Sequence, residues 1–246
     1  MPEPRLDEQV VSQAVQAGLS NQIDTAEVMN VDVRTDLLKA VQGQANSVTV
    51  SGEGVVVQDV RVQELEIRTD EVAIDPLSAL LGNLKLNQPV NTTTRLVLME
   101  SDINRALQSD VIARWFPPLD LNVEGARVRV ELLLPQLKIA LPEVGKIRLD
   151  GAALLHEEKG TRRVNFATVI LPRTETRPVL LEGFECQPGQ ALSLEFTIAL
   201  LTRFKQLLSQ PYLEFEGIAF RVKHLEIQPG SLTVETEAQL REIPTL

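Results

Sequence analysis

The sequence predicts an α+β fold in which helices cover the apolar face of a long antiparallel sheet with β-bulges. Three observations carry that expectation. From Leu119 to Leu171 apolar and polar residues alternate almost without interruption, punctuated by turn residues. Ser193 to Ser209 is a strongly amphipathic helical stretch. Two distant stretches, V-R-V-Q-E-L-E-I at 60–67 and F-R-V-K-H-L-E-I at 220–227, share one break in strict alternation. No Pro/Gly/Ser-rich linker divides the 246 residues. One domain over 1–246 is expected, with an N-terminal helix within 1–29 and a core over 30–240.

Taken in order, Leu6 to Met29 reads as helix through Val10, Ala14 and Leu19, and Asn30 to Arg34 alternates as a strand. A short helix follows, with Thr35 as N-cap, Leu37, Leu38 and Val41 as its buried face and Gly43 as its stop. Val48 and Val50 begin a strand, Gly52-Glu53-Gly54 is expected to turn the chain, and Val55 to Thr69 continues as strand. Asp75-Pro76 opens a short helix that Gly82 closes. Leu84 to Met99 is strand, and Glu100 to Gln108 is helix burying Ile103, Ala106 and Leu107. Beyond Leu171, Val179–Phe184 adds a strand. In the helix 193–209, Phe196, Leu200, Phe204, Leu207 and Leu208 form one apolar face, with Ile198 and Leu201 beside it. Strands over 212–216, 218–227 and 232–240 complete the chain.

The break in alternation falls between Val62 and Leu65, and again between Val222 and Leu225. One inserted residue in an alternating strand is the sequence form of a β-bulge, expected near Gln63–Glu64 and Lys223–His224. The echo is either a coincidence of two amphipathic strands or the mark of a pseudo-symmetric structure enclosing apolar space.

Acids outnumber bases 34 to 24, a net charge of −10, which argues against nucleic acid as a partner. With 7 Phe, 1 Tyr and 1 Trp, the interior is aliphatic and offers few stacking platforms for flat cofactors. The single Cys186 forms no intramolecular disulfide and no cysteine-rich metal site, and reads as an inert small residue. No apolar run exceeds four residues, so no spanning helix is expected. The first residues lack an apolar region, so no signal peptide is expected either.

Enzyme signatures are absent: no G-x-S-x-G, no phosphate loop, no H-E-x-x-H and no EF-hand loop. His156 and His224 both fall on expected strands and read as surface histidines, so neither a catalytic set nor a cofactor or metal is expected. Two further features are candidates for binding. Trp115 and Phe116, in a loop after a helix, either reach an apolar interface or plug the end of the core. Lys159, Arg162 and Arg163 flank the turn at Gly160 and either meet anionic headgroups or decorate the turn.

Several segments together resemble the LmeA-like phospholipid-binding family of bacteria. They are N-V-D-V-R-T-D (30–36), V-x-G-Q (41–44), S-V-T-V-S-G-E-G (47–54), V-R-V-Q-E-L-E-I (60–67), I-D-P-L-S-A-L-L-G (74–82), L-V-L-M-E-S-D-I-N-R-A-L (96–107) and F-E-G-I-A-F-R-V-K-H-L-E-I (215–227). The resemblance spans about 28–240. It implies a tubular lipid-binding-like, pseudo-symmetric fold in which a long, highly curved antiparallel sheet wraps around helices and leaves an apolar groove, binding of a phospholipid or fatty-acyl ligand, and no catalytic residues. Familiar members act in the cell envelope with a signal or anchor. The chain shows neither motif, so a cytoplasmic location, peripheral at a membrane through transient surface contact, is expected. Within the helix 193–209, Phe196, Leu200, Leu201 and Phe204 are the candidate groove wall. The competing expectation is an interaction module whose core is closed. The sequence assigns no oligomeric state.

Overall fold

A computed structural model of the chain describes residues 23–36, 38–39, 42–74, 86–172, 180–186, 192–208, 213–215 and 218–240. The first half holds β1 (Val28–Arg34), β2 (Gln44–Ala45), β3 (Ser47–Val57), β4 (Val60–Thr69), β5 (Val72–Ala73) and β6 (Val90–Met99). Two helices follow, α1 (Glu100–Ala106) and α2 (Asp110–Trp115). Then come β7 (Leu119–Val123), β8 (Ala126–Leu132), a 3-10 turn at Leu134–Gln136, β9 (Lys138–Glu143), β10 (Lys146–Glu157), β11 (Gly160–Leu171) and β12 (Leu180–Cys186). Helix α3 (Leu194–Leu208) precedes β13 (Leu213–Phe215), β14 (Ile218–Gln228) and β15 (Ser231–Leu240). The class is α+β, mostly antiparallel sheet with few helices, as the alternation predicts.

The chain divides into two compact units. The first comprises 1–98, 212–224 and 233–246, the second 99–211 and 225–232. The first unit is built on a seven-stranded sheet in the order β1-β3-β4-β6-β15-β14-β13, with β2 and β5 as a separate pair. The second is built on a sheet in the order β12-β11-β10-β8-β7, with β9 added on β10. All three named helices belong to the second unit.

In the first unit, the expected helix 6–29 does not extend to its C-terminal end. Thr25 bridges Val56, and Val28 already pairs with Glu53, because the 28–34 stretch alternates and finds the free edge of β3. Residues 1–22, and the expected helix at 75–82, lie outside the described residues. Thr35 is not the cap of the next helical turn. Its buried hydroxyl donates to the Gln44 carbonyl at 2.8 Å, while the Asp36 carboxylate accepts from the Lys39 N–H at 2.9 Å. Leu38, expected to be buried, is 71% exposed.

The turn expected at 52–54 is not there either. Strand β3 runs through it, and the chain reverses at Gln58–Asp59, where φ is 48° and 66°. Two positive φ values match the twist of a two-residue hairpin, with Val57 opposite Val60 closing it. Gly54 bends β3 at φ 57°, and a β-carbon there would run into the Glu27 side chain. The bulge expected at Gln63–Glu64 is absent. Glu53 faces Glu64 and Val55 faces Val62 in one constant register, and β4 keeps a constant register with β6 as well. What changes along β4 is the apolar side. Val60 and Val62 share one face, Leu65 and Ile67 the other.

Two register shifts lie in the second unit. Between the pairs Ala167–Glu185 and Val169–Glu182, β12 carries an extra residue, with Gly183 at φ 59°. This places Phe184 against Phe166, ring centroids 5.9 Å apart and nearly parallel. A second irregularity lies between Lys146 and Arg148 where β9 meets β10. Ser193 caps α3 by accepting from the Phe196 N–H at 3.1 Å. Helix α1 is tied to β9 by side chains. Asn104 donates to the Ile139 carbonyl at 2.7 Å and accepts from the Ile139 N–H at 2.8 Å, and Glu100 accepts from the Leu141 N–H at 2.7 Å.

Candidate functional site

Three surfaces follow from the alternation of these strands. The first is the apolar face of the six-stranded sheet. Leu121, Val128, Val130, Ala153, Leu155 and Val164 form one buried cluster under α3, whose Phe196 is 3% exposed within it. Leu200 packs against the same cluster. A second cluster of Leu107, Leu134 and Leu137 adjoins it through the shared Leu132 and Phe166. Of the expected groove wall, Phe196 and Leu200 therefore pack into a core. The side chains of Leu201 and Phe204 lie outside the described residues. The outward side of α3 carries Leu194 and Ile198, 69% and 55% exposed.

The second surface is the opposite face of the same sheet. There an open pocket of about 510 Å³ is lined by Gln136, Lys138, Asp150, Arg163, Asn165 and Glu185, above Gly151, Ala152 and Ala167. A β-carbon at Gly151 would meet the tip of the Leu137 side chain at 2.6 Å, which would have to move aside. Arg148 holds the Asp150 carboxylate through two hydrogen bonds of 2.8 and 3.0 Å, and these bonds hold the Asp150 carboxyl below its ordinary range.

The third surface belongs to the seven-stranded sheet. Val31 faces Val50, Val50 faces Ile67, and Leu65 faces Leu96, so these side chains share one face across four strands. All five are half-buried. One end of this face is closed by Val33 and Thr92, both buried. Sequence reading missed this surface, although its residues stand in the quoted family segments. Alternation announces an apolar face but not whether anything covers it.

The expected headgroup set is not brought together. Arg162 and Arg163 are neighbours on β11 and so project to opposite faces. Arg162 pairs with Glu157 at 3.0 Å, while Arg163 enters the polar pocket. Lys159 is exposed in the β10–β11 turn. Trp115 does not lie in a loop. It closes α2, which Ser109 caps by accepting from the Ile112 N–H, and Phe116 follows as a 47% exposed residue. His156 is engaged by Thr161 at 3.0 Å and Glu131 at 3.2 Å. Burial pushes the Cys186 thiol up, as expected of an unreactive residue. Among the described residues no group of acids, histidines and cysteine is arranged to hold a metal, and no helix is long and apolar enough to cross a membrane.

A family model described as LmeA-like phospholipid-binding matches residues 5–237. No curated protein matches the chain. No solved structure matches it.

Proposed function

Because the chain belongs to the LmeA-like phospholipid-binding family, we propose that it is a non-catalytic protein that holds a phospholipid acyl chain against an apolar surface, in lipid transfer or membrane homeostasis. The observation that carries this reading is the half-buried aliphatic face of the seven-stranded sheet, with Val31, Val50, Leu65, Ile67 and Leu96 as its contact residues. Each methylene moved there from water contributes about 0.8 kcal/mol. Aliphatic side chains suit a flexible chain, and the driving force needs no reactive group. The reading includes the tubular architecture and the single working domain that the resemblance implies, supported by a match over nearly the whole chain. Transient contact with a membrane surface belongs to it too, supported by the exposed Phe116.

Mass spectrometry of lipids that co-purify with the protein, followed by displacement of a fluorescent fatty acid, tests this. The wild type takes up the probe, and Leu65→Gln and Ile67→Gln each lower uptake while the circular dichroism spectrum is kept. A wild type that carries no lipid and binds no probe overturns the reading.

A second reading, an interaction module with a closed core, is favoured by the packing of Phe196 and Leu200 under α3. It predicts that Leu200→Gln lowers the melting temperature of a protein that binds no lipid in the first place.

A further inference from the structure

The open pocket on the charged face of the six-stranded sheet differs from the rest of this acidic chain in its balance of charge. The Arg163 guanidinium is held by neutral oxygens: Gln136 Oε1 at 2.6 Å, and Asn165 Oδ1 at 3.2 Å from Nε and 3.1 Å from Nη2. No carboxylate among the described residues forms an ion pair with it, and none forms one with Lys138. The acids at the rim answer to several cations, and Lys138 stands near enough to help lower the Asp150 carboxyl. Asp150 is bonded twice by Arg148, and Glu185 lies close enough to reinforce the charge on the same guanidinium. With Arg148 at its edge the pocket gathers three cations against two acids, in a protein whose formal charge is −10.

Their placement is fixed by the strands. Lys138 on β9 stands opposite Asp150 on β10, Asp150 opposite Ala167 on β11, and Arg163 lies two and four residues from Asn165 and Ala167 on that same face. With its oxygen taken by Arg163, Gln136 presents its amide N–H groups as donors beside Lys138 and Arg163. The floor of Gly151, Ala152 and Ala167 leaves a volume of about 510 Å³. That is the size of a small-molecule site, well beyond a single ion.

We propose that this pocket binds an anionic phosphodiester headgroup, with Lys138 and Arg163 on the phosphate oxygens and Gln136 donating next to them. A planar guanidinium oriented in advance, together with a mobile ammonium, is the donor set that phosphate oxygens call for. The assignment stands apart from the acyl-binding reading, because it uses a different sheet from the aliphatic rows. The same chemistry is offered by a lipid headgroup in a bilayer and by a soluble glycerophosphodiester.

Both sources are tested on the full chain. Glycerophosphoglycerol is titrated calorimetrically, and phosphatidylcholine vesicles with and without phosphatidylglycerol are compared by co-sedimentation. The wild type binds in a salt-sensitive manner. Lys138→Gln and Arg163→Gln each weaken binding by about tenfold, the loss of one charge-assisted hydrogen bond. Arg127→Gln, which removes an equal charge bonded to Asp120, leaves it unchanged. Binding of the soluble diester, lost in the double variant, assigns the site to the headgroup by itself. Binding confined to phosphatidylglycerol vesicles, lost in the same variant, assigns it to the membrane-held lipid. A wild type that binds neither probe overturns the proposal, and so does a double variant as tight as the wild type. Both side chains are exposed, so folding is not at stake in these variants.

Discussion

In the six-stranded sheet, Leu121, Val130, Leu155 and Val164 are sealed beneath α3, whereas in the seven-stranded sheet Val50, Leu65, Ile67 and Leu96 form equally aliphatic rows that stay half-buried. The residue types are the same and the strand pairing is antiparallel in both. The difference lies in how much of each face folding removes from water. Where a helix supplies Phe196, apolar area is removed from water on folding and serves stability. Where the rows remain partly wet, the same area is still available to a ligand.

The largest expected effect breaks the sealed side. Phe196→Ala should destabilise the protein by about 3–5 kcal/mol, the cost of a lost aromatic plus the cavity it leaves. Denaturant unfolding monitored by circular dichroism reads this directly, and a loss of less than about 1 kcal/mol would mean that α3 does not close the core. Leu65→Gln on the open side should cost only about 1 kcal/mol in the same measurement. Its effect should appear in lipid uptake instead. Equal destabilisation by the two variants would erase the distinction between the faces.

A finer comparison uses two glycines. Gly54 in β3 and Gly183 in β12 have φ of 57° and 59°. Alanine at either position costs about 1–2 kcal/mol of backbone strain. At 183 the new β-carbon meets open space, while at 54 it collides with Glu27, whose carboxylate bonds Arg61 at 2.8 Å. Gly54→Ala should therefore be the more damaging of the two in thermal unfolding.

The smallest effect concerns Cys186, which packs against the sealed cluster. Burial disfavours its thiolate, so at neutral pH alkylation by iodoacetamide should be slower than for a free cysteine, with the rate profile displaced to higher pH. Phe196→Ala should move that profile back towards the ordinary thiol range. A profile that is ordinary in the wild type would show that the cluster already admits solvent.

Much of the second unit was legible because its signals are local. Alternation located β7 to β11, and the apolar spacing with Ser193 ahead of it located α3. The hairpin at Gln58–Asp59 was not legible. It contains no glycine, while the glycines at 52 and 54, which look like a turn, serve the close approach of β1 and the Glu27 side chain. The broken alternation of β4 looked like an inserted residue because sequence spacing cannot distinguish a bulge from a strand that buries one side and then the other. For the polar pocket, Arg163 stood out as one of a basic group. The split between Arg162 and Arg163 follows from period two alone. Lys138 could not be added, because only the pairing of β9 with β10 brings it there.

Among the described residues β9 pairs as a strand with β10, which leaves a row of backbone groups on its other side. An open row of that kind is a template on which a foreign strand can grow. Here α1 occupies part of it, and the Gly230 N–H donates to the Leu141 carbonyl at 2.9 Å. Asn104 answers both backbone groups of Ile139 as a neighbouring peptide would, and Glu100 takes the Leu141 N–H. Two side chains, one turn apart on a helix, thus stand in for an absent strand. Protection of this edge falls to Gly230 together with Glu100 and Asn104, the latter two within the segment M-E-S-D-I-N-R-A that also links the two units in sequence.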